Sequence, residues 1–66
     1  MTLTVNGEPR DAEDAVTIER YLASLALKSQ MVVVEHNGEI VARDRYADTV
    51  LAAGDTLEIV QMMAGG

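Results

Sequence analysis

Two Asn-Gly dipeptides, Asn6-Gly7 and Asn37-Gly38, constrain the fold of this chain more than any other feature. A type I′ turn needs positive φ at both central positions, so Asn-Gly between β-type runs predicts a hairpin. Both dipeptides are flanked in that way. Thr2 to Asn6 sets Leu3 and Val5 on one face and Thr2 and Thr4 on the other, the period of a half-buried strand. The return strand, Glu8 to about Ala12, contains Pro9, which has no N–H for a ladder and belongs at a sheet edge. Around the second dipeptide, Met31 to His36 carries the β-branched Val32, Val33 and Val34, apolar on both faces, and Glu39 to Ala42 returns.

Between the hairpins, Thr17 is placed to cap a helix running to about Leu27. Ile18, Tyr21, Leu22 and Leu25 make one apolar stripe on it, and Val16 before the cap can pack on Tyr21. After the second hairpin, Arg43 to Asp48 reads as an irregular or short helical connection anchored by Tyr46. Ala53-Gly54-Asp55 is turn chemistry, and Thr56 to Met62 is the last strand. Strand, strand, helix, strand, short strand, strand predicts an α+β domain with one helix on one face of a mixed five-stranded sheet. The known architecture of that order is the β-grasp, with its first and last strands parallel at the centre. Its core here should be Leu3, Val5, Ile18, Leu22, Leu25, Val32, Val34, Leu57 and Ile59. Val33, Val60 and Met62 then point away from the helix, and contiguous apolar side chains on an open face predict a docking patch for a partner.

Size and charge exclude several functions. A domain of 66 residues has no room for a deep enzyme cleft. Its formal net charge of −6 repels phosphate backbones, and the basic residues never cluster, which argues against nucleic acid. No cysteine is present, so neither disulfides nor thiolate metal sites are expected. No basic leader and no apolar run of spanning length are seen, and a cytoplasmic protein is expected, neither secreted nor inserted in a membrane.

Few residues are placed for chemistry. His36, the one histidine, lacks the second ligand or catalytic partner that metal binding or acid–base work requires. Ser24 and Ser29 lack a nucleophile-elbow context, and the acidic pairs Glu13-Asp14 and Asp44-Asp48 do not follow a calcium loop, so they read as solvated surface. No catalytic residue and no metal site are therefore expected in the chain itself. What stands out is the closing stretch Met63-Ala64-Gly65-Gly66, directly after the last strand. Glycine has no Cβ, so such a segment can lie in a narrow channel of another enzyme. The expectation is a β-grasp domain over 1–62 and a flexible Gly-Gly tail over 63–66, with the carboxylate of Gly66 as the group that reacts.

The run Val33-Val34-Glu35-His36-Asn37-Gly38-Glu39-Ile40-Val41, an arginine at 43, an aromatic residue at 46, Gly54-Asp55-Thr56-Leu57-Glu58-Ile59-Val60 and the closing Ala64-Gly65-Gly66 together resemble the ThiS family of sulfur carriers in thiamine biosynthesis. The similarity covers nearly the whole chain and is strongest from Val32 onward. Ala42 and Tyr46 depart from it, where proline and tryptophan are common. The resemblance implies a protein that is a co-substrate and not an enzyme. A partner similar to the ubiquitin-activating adenylyltransferases would use ATP and magnesium to adenylate Gly66. Sulfur from a cysteine persulfide would replace AMP, and the resulting thiocarboxylate would pass its sulfur to thiazole synthase. Gly65, Ala64 and Met63 would thread into the partners' active sites. The small subunit of molybdopterin synthase, a ubiquitin-like modifier conjugated through Gly66, and a β-grasp regulatory or RNA-binding module with an idle tail are the alternatives.

Overall fold

The computed structural model describes residues 1–62. The expected tail, Met63, Ala64, Gly65 and Gly66, lies outside the described residues. Five strands form one sheet: β1 (Thr2–Val5), β2 (Glu8–Asp11), β3 (Val32–His36), β4 (Glu39–Ile40) and β5 (Thr56–Gln61), in the order β2-β1-β5-β3-β4. β1 and β5 run parallel at Thr4↔Thr56 and Val5↔Leu57, and every other pairing is antiparallel. This is the β-grasp arrangement.

Both Asn-Gly turns form as their chemistry requires: Asn6 and Asn37 have φ of 50° and 51°, Gly7 and Gly38 of 84° and 87°. Pro9 sits on β2, an edge strand, opposite Thr4. Helix α1 (Ile18–Ser24) starts where Thr17 Oγ1 accepts from the Arg20 N–H at 3.2 Å. Its first N–H groups are further satisfied across the chain, Ile18 by the Thr49 carbonyl and Glu19 by the Tyr46 carbonyl. That stitching ties α1 to the 46–51 segment. It explains why Tyr46 and Leu51 are buried along with Val16 and Tyr21 in the core, which otherwise holds Leu3, Val5, Ile18, Leu22, Val32, Val34, Leu57 and Ile59.

Leu25 is a correction. Expected in the core, it is 43% exposed, because α1 stops at Ser24 and not near Leu27. The Ala26 N–H bonds the Ala23 carbonyl at 3.0 Å, the Leu27 N–H bonds the Leu22 carbonyl at 2.9 Å, and Ala26 has φ of 59°. That is a complete Schellman cap with alanine where glycine is usual. Leu27, rather than Leu25, then turns back onto the core. Strand ends also fall short of expectation: β1 stops at Val5 because Asn6 belongs to the turn, and β3 begins at Val32 because Met31 closes a 3₁₀ turn from Ser29. β4 covers only Glu39–Ile40, since Ala42 begins the approach to the 3₁₀ turn Arg43–Arg45, and β5 ends at Gln61.

Candidate functional site

The site is organised on β5, the central strand, whose last residues lead straight into Met63-Ala64-Gly65-Gly66. Strong anchoring at its start fixes where it points. His36 Nε2 donates to Asp55 Oδ2 at 2.7 Å, Asn37 Nδ2 donates to Asp55 Oδ1 at 3.2 Å, and the Ala52 N–H donates to Asp55 Oδ2 at 2.9 Å. Asn37 Oδ1 in turn accepts from the Thr56 N–H at 2.8 Å. The His36 ring is the main reason the Asp55 carboxyl is held below its ordinary pKa. Burial opposes it as the next largest effect, and the Ala52 N–H and the Asn37 amide add smaller contributions in the same direction as the histidine. The histidine therefore has a partner that sequence spacing did not reveal, and that partner makes it a clamp on the turn before β5. No group of side chains able to hold a metal ion exists among the described residues. No helix among them is long and apolar enough to cross a membrane.

Farther along β5, hydrogen-bond alternation decides what each residue offers. Asn37 N–H bonds the Thr56 carbonyl and Met62 N–H bonds the Met31 carbonyl, each at 2.8 Å. The bonded pairs between β3 and β5 are then Glu35 with Glu58 and Val33 with Val60. Leu57, Ile59 and Gln61 turn their backbone groups to the β1 side. β1 stops at Val5, and Asn6 replaces it: its Oδ1 accepts from the Ile59 N–H at 2.8 Å and its Nδ2 donates to the Ile59 carbonyl at 3.2 Å. Gln61 lies beyond that grip, beside a groove of about 410 Å³ lined also by Leu25, Leu27 and Ile59. Met62 N–H makes the last sheet bond before the tail sequence.

Side chains on β5 alternate as expected. Leu57 and Ile59 are buried under α1, whereas Val60 and Met62, with Val33 from β3, lie on the open face at 59%, 42% and 38% exposure. The three residues of the expected docking patch are thus brought together. Sequence reasoning missed two members of the same face, Met31, opposite Met62, and Ile40, opposite Glu35. The spacing of Met31, Val33 and Glu35 by two in the sequence was the available signal.

Comparison with known proteins places this geometry in a family. The ThiS family model matches residues 3–66. A protein named thiazole synthase from Paramagnetospirillum magneticum is 42% identical over 66 residues, which is all of this chain and 20% of that protein. The chain thus spans about a fifth of the length of that relative, and likewise of a thiazole synthase from Magnetococcus marinus at 38% identity. Sulfur carrier protein ThiS of Bacillus subtilis is 38% identical over 65 residues, covering 97% of this chain and 98% of that one. A crystal structure of a thiamine biosynthesis protein (ThiS) from Geobacter metallireducens superposes with a TM-score of 0.86 at 33% identity, with full coverage of both chains.

Proposed function

The chain belongs to the ThiS family, and from that premise we propose that it carries sulfur for thiazole formation in thiamine biosynthesis as a thiocarboxylate on Gly66. The observation that carries this reading is the anchoring of β5. A strand clamped at Asp55 and bonded through Met62 stands at the centre of the sheet and leads in sequence into Met63-Ala64-Gly65-Gly66. The names of the relatives support the thiazole branch over the molybdopterin alternative.

In the proposed cycle, the Gly66 carboxylate attacks the α-phosphorus of ATP in a magnesium-dependent adenylyltransferase of the ubiquitin-activating type. Pyrophosphate leaves, and the product is an acyl adenylate. The terminal sulfur of a cysteine persulfide then attacks the acyl carbon and expels AMP. A thiol reduces the remaining S–S bond, becoming oxidised itself, and frees the thiocarboxylate. That group is the sulfur nucleophile used by thiazole synthase. The carrier contributes no general acid or base to these steps. Its part is to present the tail and to dock through Val33, Val60 and Met62.

Intact-mass measurement tests this directly. Incubated with the activating enzyme, ATP, magnesium and a persulfide donor, the protein is expected to gain about 16 Da by exchange of one oxygen for sulfur at its acyl terminus. A protein without Gly66 is expected to fold and gain nothing, since the reacting group retreats by roughly 3.3–3.6 Å. Sulfur uptake at the normal rate without Gly66, or adducts on lysines of other proteins in place of the gain, overturns the proposal.

A further inference from the structure

The open face of β3 and β5 carries a ladder of like pairs: Met31 opposite Met62, Val33 opposite Val60, and Glu35 opposite Glu58. Directly opposed carboxylates on one face of a sheet repel and destabilise it. Glu35 and Glu58 form a bonded pair, so their Cα atoms are about 5.5 Å apart. Among the described residues neither makes an ion pair. Arg10 is held by Glu8 at 3.3 Å, Arg43 donates to the Ser29 and Gln30 carbonyls, and the N-terminal ammonium pairs with Asp14. An uncompensated acidic pair therefore adjoins exposed Val33, Val60 and Ile40 in the docking patch.

We infer that Glu35 and Glu58 together form the receptor for a basic side chain, arginine or lysine, on the surface of thiazole synthase, with Val33, Val60 and Ile40 packing against apolar groups around it. This rests on the reading of the chain as sulfur donor to that enzyme. The synthase is favoured as occupant because relatives named thiazole synthase contain a segment like this whole chain within one polypeptide, which keeps such a domain at high effective concentration beside the synthase. The ladder also sets the orientation of docking. Its apolar end adjoins Met62 and the tail sequence, and its acidic end lies about 6.8 Å farther back along β5 from Val60. A cation seated between the carboxylates would relieve their repulsion only in the complex, so the pair favours the bound state over the free one.

The test compares the full chain with its Glu35→Gln, Glu58→Gln and double variants for binding to purified thiazole synthase, by calorimetry at low and high salt. Glu13→Gln, the same charge change in a loop away from this face, is the control. Each ladder variant is expected to bind roughly tenfold more weakly and the control within about twofold, while the salt dependence of the parent is largely lost in the double variant. Thermal melting of the free protein supplies a readout that a merely structural role would move the other way: both single variants are expected to melt at the parent temperature or above it. Affinity equal to the parent, or affinity lost only together with melting temperature, overturns the inference. A failure of the sulfur-carrier reading shows separately, as a parent protein that takes up no sulfur in the mass assay.

Discussion

The two ends of β5 are built by different means. At its start, Thr56 is flanked on both sides by main chain, with the Asn37 N–H on its carbonyl and the Thr4 N–H on the neighbouring Asp55 carbonyl, and the clamp of Asp55, His36 and Asn37 closes over it. At its far end, β3 continues to pair through Gln61 and the Met31 carbonyl just before that strand accepts from the Met62 N–H, but β1 has turned away at Asn6 and a single side-chain amide stands in for it. The start is thus over-determined by polar contacts. The end is held chiefly by one neighbouring strand and by what lies beneath it. A strand made this way is held on both sides where it enters the sheet and chiefly on one side where it leaves, an asymmetry that suits the proposed presentation of the tail sequence to other proteins.

The sharpest way to break that comparison is to place a charge at each of two adjacent residues in the accessible half. Ile59 is 8% exposed under α1 and Val60 59% exposed on the opposite face. Ile59→Asp strands an unpaired carboxylate in the core, and a domain of this size has only about 3–5 kcal/mol to lose, so the protein is expected to be unfolded at room temperature by circular dichroism. Val60→Asp should keep its melting curve within about 0.5 kcal/mol of the parent and instead impair docking. Unfolding by Val60→Asp alone would invert the assignment of the two faces.

At the anchored start the expected effect is smaller. Asp55→Ala removes the acceptor for His36, Asn37 and the Ala52 N–H together and should destabilise by about 2 kcal/mol in urea denaturation, whereas Gln61→Ala at the far end should change stability by less than about 0.5 kcal/mol. The contrast also has a pH signature. A carboxyl with a depressed folded-state pKa contributes stability that is present above its unfolded value and is lost as pH falls through the folded one. The advantage of the parent over Asp55→Ala should therefore shrink as pH is lowered from about 5 through the ordinary aspartate value near 3.9 and below. An advantage that instead grows on acidification would show that Asp55 is not the acceptor drawn here.

Much of this was legible in the sequence because it rests on local chemistry. Asn-Gly at 6–7 and 37–38, Pro9 on an edge and Thr17 at a cap each work through their own backbone, and strand periodicity separates Ile59 from Val60 without reference to the rest of the fold. What was not legible depends on which distant segments meet. Asp55 reads as a turn residue until the fold sets it against His36, nineteen positions away. Leu51 gave no periodic signal because it is buried by the bonding of the 46–51 segment to α1, not by membership of a helix or strand. The opposition of Glu35 and Glu58 needs the register of two strands, which pattern alone does not supply. The end of α1 was missed for a local reason: alanine occupies the left-handed position where glycine would have announced the stop.

That substitution gives the smallest and most discriminating prediction. Leu25 and Leu27, which follow the helix end, line the groove beside Gln61, so the cap at Ala26 shapes the accessible end of β5. A non-glycine residue at φ of 59° carries a steric cost of roughly 1–2 kcal/mol against the carbonyl, part of which glycine gives back as extra freedom of the unfolded chain. Ala26→Gly should therefore stabilise the domain by about 0.5–1 kcal/mol and raise its melting temperature by roughly 4 °C. The same change three residues earlier, Ala23→Gly, lies inside α1 at ordinary helical geometry and should destabilise by about 1 kcal/mol. The two variants are identical in composition, so the opposite signs isolate backbone conformation from every other effect of the substitution. If Ala26→Gly lowers the melting temperature as Ala23→Gly does, α1 continues past Ser24 in solution, and Leu25 returns to the face that covers the core.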